Sequence, residues 1–134
     1  MKKDISFKPV ENVILAVARE QNEGGQLEWR SYIINKNSEP LETVLIITKG
    51  YGEKDGQPQK TSTLRHMIDR LEGGSYAMIE PVDEAVFHLS NEFWVSYYVN
   101  GQIYDKKFIF VPGSFDEENV GPIPELDLEG ITHS

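Results

Sequence analysis

Residues 13–18 are all apolar, with Val13, Leu15 and Val17 on one side of an extended chain and Ile14, Ala16 and Ala18 on the other. That pattern predicts a strand covered on both faces. In the next run Leu27, Trp29 and Ile33 share one face, and the turn-forming cluster from Asn35 to Pro40 separates it from a second arm over residues 41–48. That arm contains Val44-Leu45-Ile46-Ile47, a mostly β-branched apolar run typical of an interior strand. Residues 49–60 carry Gly50, Gly52, Gly56 and Pro58 among charges and read as a long, mobile, exposed loop.

Residues 61–71 fit two periods. Leu64, Met67, Ile68 and Leu71 have helical spacing, with Thr61 or Ser62 placed to cap a helix and Gly73 to end it. Leu64, His66 and Ile68 also share one face of a strand, and the surrounding β pattern decides for strand. After Gly73-Gly74, residues 75–80 alternate Tyr76 and Met78 against Ala77 and Ile79, and Pro81 ends that strand or marks it as an edge. Val86 to Leu89 reads as a short strand or packed connection.

The clearest local signal is Asn100-Gly101 between the β-rich runs 93–99 and 102–111, the signature of a two-residue type I′ hairpin. Pairing Val99 with Gln102 sets Tyr97 opposite Tyr104, Val95 opposite Lys106 and Phe93 opposite Phe108 on one face. Tyr98 with Ile103, Ser96 with Asp105 and Trp94 with Lys107 share the other. The pattern as a whole predicts an all-β fold: an antiparallel β-sandwich of immunoglobulin-like or fibronectin-III-like type with about seven strands. A single domain over 1–134 is expected, with its core in 10–112 and an irregular acidic C-terminal tail, 113–134, interrupted by Gly121, Pro122 and Pro124.

Composition narrows the partners. The net charge of -9 is weighted to the end, where Asp116, Glu117, Glu118, Glu125, Asp127 and Glu129 stand without a Lys or Arg. Basic residues are scattered apart from Lys2-Lys3 and Lys106-Lys107, so neither nucleic acid nor an anionic membrane surface is an expected partner. No apolar run has the length of a spanning helix, and the start at Met1-Lys2-Lys3-Asp4 lacks the apolar stretch of a secretory signal, so a cytoplasmic location is expected.

The strings Lys49-Gly50-Tyr51-Gly52, Lys60 to His66, Asn91-Glu92-Phe93-Trp94 and Tyr104 to Phe108 together resemble a small bacterial family of uncharacterised proteins. The resemblance spans most of the chain. Some members are labelled phenylalanyl-tRNA synthetase alpha subunit, which implies a link to translation. Nothing in this chain is similar to a class II synthetase catalytic domain, and the resemblance carries over no catalytic residue.

Signatures of chemistry are missing. With no cysteine, disulfides and thiolate sites are excluded, and His66, His88 and His133 stand far apart with no ligand spacing. Asp116-Glu117-Glu118 lacks the Asp-x-Asp-x-Asp-Gly pattern of a calcium loop. Ser75 follows Gly73-Gly74 without the Gly-x-Ser-x-Gly elbow, and Gly50-Tyr51-Gly52 lacks the Gly-Lys-Ser/Thr of a phosphate loop. No metal or cofactor is expected. The feature that stands out is the outer face of the final hairpin, where Trp94, Tyr98, Ile103 and Ile109 gather with Lys107 beside them. Large aromatic patches on a domain surface mark contact sites. The residues Trp94, Tyr98, Ile103 and Lys107 therefore point to a noncatalytic protein-binding or assembly module that uses a sheet face or edge to contact a protein partner or a second copy of itself. The alternative reading is a small enzyme or small-ligand carrier whose pocket is assembled from residues distant in sequence.

Overall fold

A computed structural model describes residues 9–134. Residues 1–8, including the Lys2-Lys3 pair and the start read for a signal, lie outside the described residues. The strands are β1 (Val13–Gln21), β2 (Leu27–Asn35), β3 (Leu41–Lys54), β4 (Gln57–Lys60), β5 (Leu64–Leu71), β6 (Tyr76–Val82), β7 (Ser90–Val99), β8 (Gln102–Phe110), β9 (Gly121–Ile123) and β10 (Leu128–His133). Two single 3-10 turns, Glu84–Val86 and Glu117–Asn119, are the only helical segments among the described residues. Residues 64–71 are a strand, so the β context prevails over the helical spacing there.

The strands make two packed antiparallel sheets, an all-β sandwich. One runs β6-β2-β1-β10-β9; in the other, β8 pairs with β7 and β7 with β3, whose far edge is taken by β5 and then β4. Leu15, Val17, Trp29 and Ile33 of the first sheet meet Val44, Ile46, Phe93, Val95, Tyr97 and Phe108 of the second in one buried core. Each of the two faces carries the inward residues of period-two strands, which is why the alternation in sequence was sufficient to find them.

Two expectations are corrected. The segment 49–60 is a hairpin and not a loop: β3 continues to Lys54 and pairs with β4 as far as Tyr51 with Lys60. Asp55 and Gly56 adopt positive φ of 54° and 76°, the same left-handed pair seen at Asn100 and Gly101, with 50° and 77°. Asp-Gly, like Asn-Gly, accepts those angles cheaply, and that local signal outweighs the glycine and charge content around it. The C-terminal segment is also not irregular. Pro122 sits on the short edge strand β9, where a missing N–H costs no ladder bond, and β10 pairs with β1 from Leu15–His133 to Arg19–Glu129. These additions raise the count from about seven strands to ten.

The C-terminal segment covers the β1-β2 part of the outer face of its sheet, while Tyr76 and Met78 of β6 stay exposed on that face. Ile123 and Leu126 pack on Ala16, Ala18, Tyr32 and Ile34 to make a second buried cluster. Gly130 lies so close to β1 that a side-chain carbon there would collide with the Val17 carbonyl and the Ala18 backbone. Arg19 then ties the segment down: its Nη1 and Nη2 donate to Glu117 at 2.6 Å each and its Nε donates to Glu129 at 2.8 Å, while the guanidinium lies 5.4 Å from the Trp29 ring centre. The pairing with Arg19 holds the Glu117 carboxyl below its ordinary value.

Gly130→Ala should cost about 3 kcal/mol in urea unfolding, because the clash is with backbone that cannot rotate away. The Glu117–Arg19 contribution has a definite sign: the folded carboxyl is depressed, so the contribution is complete above the ordinary value of 4.5 and is lost as pH falls through the depressed one. Acid unfolding curves of Glu117→Gln and wild type should therefore converge at low pH and separate above it.

Candidate functional site

The outer face of the second sheet is built from rows of cross-strand neighbours. One row is Arg65, Ile47, Trp94 and Lys107, and the next is Met67, Leu45, Ser96 and Asp105. Beyond the second row Glu42 pairs with Tyr98 and Tyr98 with Ile103; beyond the first, Lys49 pairs with Glu92 and Glu92 with Ile109. All four residues expected at a contact site share this face: the register sets Trp94 against Lys107 and Tyr98 against Ile103. Trp94 is 39% exposed, Tyr98 40% and Met67 64%, values high enough to leave their rings and thioether reachable by a partner.

Side chains on this face are oriented by one another. The Trp94 Nε1 donates to Asp105 Oδ1 at 2.7 Å, and the Lys107 ammonium lies 4.7 Å from the Trp94 ring centre. The indole is thus held at its N–H edge by a carboxylate and approached over its ring by a cation, which reduces the rotamer freedom left to lose on binding. At the far end Glu92, 5% exposed, accepts from the Tyr51 hydroxyl at 3.2 Å and lies 3.7 Å from the Lys49 ammonium. Burial first, and the Glu92 charge second, push the Tyr51 phenol above its ordinary value of 10.

Sequence reasoning missed the β3 and β5 share of this face: Leu45, Ile47 and Met67. The signal was present, because an unbroken apolar run such as Val44 to Ile47 must turn every second residue outward. Which sheet face they joined depended on the pairing of β3 with β7, which lies in no local pattern.

The remaining candidates are occupied. A cleft of about 320 Å³ opens beside Thr61, Ser62, Glu80 and Asp83 at the edge of the two sheets. Glu80 there is 3.2 Å from His66, Thr61 Oγ1 accepts from the Gly50 N–H, and Asn91 donates to the Val86 and Leu89 carbonyls. Glu80, Thr61 and Asn91 are thus already partnered rather than converging on an empty centre. His88 meets Gln59, and His133 packs edge-on against Phe108 and Phe110. Among the described residues no group of three His, Cys, Asp or Glu is placed to hold a metal ion, and no helix is long and apolar enough to cross a membrane.

Comparison with known proteins found no match to a family model, to a curated protein or to a solved structure.

The raised Tyr51 phenol can be measured. In absorbance titration the wild type minus Tyr51→Phe difference should show a phenol ionising above 10, and Glu92→Gln should lower that value toward the part set by burial. Because the folded value is raised, this group's contribution to stability is complete below the unfolded value and falls as pH rises toward the folded one.

Proposed function

We propose that this chain is a noncatalytic protein-binding module and that the outer face of the β5-β3-β7-β8 sheet is its contact surface. The observation that carries the reading is an asymmetry between the two sheets. The chain's own Ile123 and Leu126 cover the middle of one outer face and leave Tyr76 and Met78 exposed at its β6 edge, whereas on the other Trp94 and Tyr98 stand exposed on β7, an interior strand, with Met67 beside them. Exposed aromatic and thioether groups in a contiguous patch lose solvation free energy until something covers them. Trp and Tyr are also the residues on which binding energy concentrates, and Trp94 is pre-oriented by Asp105 and Lys107.

The proposal includes an immunoglobulin-like arrangement of the sandwich, supported by a chain that passes between the sheets after β2, β5, β6 and β8. It also includes a cytoplasmic setting, as the sequence led us to expect. A role in translation has less support, since the exposed face lacks the dense cationic track that a phosphate backbone attracts.

Trp94→Ser and Tyr98→Ser test the surface directly. Each should shift stability by about 1 kcal/mol or less while weakening capture of the partner at least about tenfold in a pull-down compared with wild type. Val95→Ala, next to Trp94 but pointing into the core, should instead cost about 2 to 4 kcal/mol. Unfolding of both serine variants, or unchanged capture by them, removes this reading.

A further inference from the structure

The rows of the exposed face are complementary to themselves, and from this we infer that the partner is a second copy of this chain, packed face to face about a two-fold axis. The inference rests on the reading of that face as a contact surface and names its occupant. Consider an axis in the plane of the interface, running across the strands between the Trp94 row and the Ser96 row. Each strand then lies over its own counterpart in reverse, and neighbouring rows exchange places.

Under that operation Asp105 faces Lys107 of the second copy, and Lys107 faces its Asp105. One row further out, Glu42, which pairs with Arg70 at 3.1 Å within its own copy, faces Lys49, which lies 3.7 Å from its own Glu92, and Lys49 faces Glu42. The large Trp94 ring falls on Ser96, whose small side chain leaves room for it, while Leu45 falls on Ile47 and Ile103 on Ile109. Tyr98 falls over Glu92, whose carboxylate is already buried against Tyr51 and Lys49. On the edge strand β5 the exposed Arg65 falls on Met67; across β3, β7 and β8 charge meets opposite charge, hydrocarbon meets hydrocarbon, and the bulkiest residue meets one of the smallest.

The other in-plane axis gives the opposite result. A two-fold along β7 would lay Lys107 on Ile47 and Asp105 on Leu45, taking charges from water without partners. The pattern therefore selects one symmetry and not merely a sticky surface, as an isologous interface requires. Aligned sheets cross at about 30°, so rows near the axis stay in register. With strands about 4.8 Å apart and rows about 6.8 Å apart, four strands by four rows make a face of about 500 Å². That is small for a permanent assembly, so dissociation in the micromolar range is expected.

The test uses sedimentation velocity on the full chain from micromolar to near-millimolar concentration, with circular dichroism to check folding. Wild type should pass from monomer to dimer mass. Asp105→Lys alone and Lys107→Asp alone should each weaken the dimer at least about tenfold, since each sets like charges face to face twice. Mixing the two variants should restore dimer mass as a heterodimer, because each altered residue then faces its opposite. Glu42→Lys mixed with Lys49→Glu repeats the exchange at the rim, away from Trp94, in case either central variant loses its fold. A wild type that stays monomeric throughout, or charge variants that dimerise unchanged and regain nothing on mixing, overturns the second copy as partner. A monomeric wild type whose capture of a different protein depends on Trp94 overturns this inference alone and leaves the contact surface standing.

Discussion

Strand β1 is apolar on both of its faces, and a two-layer sandwich covers only one of them. Val13, Leu15 and Val17 go to the space between the sheets, which leaves Ala16 and Ala18 facing outward beside Tyr32 and Ile34 of β2. Four neighbouring residues of that kind would form an exposed greasy surface unless something lay across it. The chain meets this constraint by returning at its end: β10 pairs with β1, and the turn between β9 and β10 folds Ile123 and Leu126 onto the outward side. Alanines at 16 and 18 suit the arrangement, since larger side chains would hold the covering segment away, and Gly130 permits the close approach of the two backbones.

A single buried polar residue organises the opposite end. Asn35, fully buried where β2 gives way to β3, donates through Nδ2 to the carbonyls of Glu39, Leu71 and Glu72, and its Oδ1 accepts from the Asn37 N–H. Its own N–H donates to the Ser75 carbonyl, and its carbonyl accepts from Gly74. One side chain thereby satisfies backbone groups at both crossings between the sheets that meet there, β2 to β3 and β5 to β6. An amide in such a place is costly unless every partner is present, so it favours a single relative placement of the sheets. That placement fixes β3 against β5 and so presents Leu45, Ile47 and Met67 beside the aromatic residues of β7.

The two outer faces illustrate how similar strand patterns lead to different surfaces. Both are rich in apolar side chains, yet one is covered at its centre by covalently connected chain held through Arg19, Glu117 and Glu129, and the other carries at its centre Trp94, in contact with Asp105 and Lys107. The covered part of the first face serves the stability of the fold. The open face keeps its charges in alternating rows around a hydrophobic centre, an arrangement that contributes little to an isolated domain, because exposed ion pairs and half-exposed rings gain little in water. Its order becomes useful only against a surface with matching rows.

Local chemistry in the sequence determined much of this protein: the all-β class, the Asn100-Gly101 turn, and the register that puts Trp94, Tyr98, Ile103 and Lys107 on one face. These follow from period-two alternation and from the few residues that accept left-handed angles, both of which act within a few positions. The strand at 64–71, by contrast, followed only from its β surroundings. The Asp55-Gly56 turn was legible by the same rule and was obscured by the glycines and charges around it. The tertiary structure alone decided that the acidic end becomes two strands, that β10 joins β1, and that Leu45, Ile47 and Met67 complete the exposed face. Those outcomes depend on pairings between residues up to 118 positions apart, as Leu15 with His133. A strand's choice of neighbour is set by which apolar surface is still uncovered when the rest of the chain has folded, and no window of neighbouring residues contains that information.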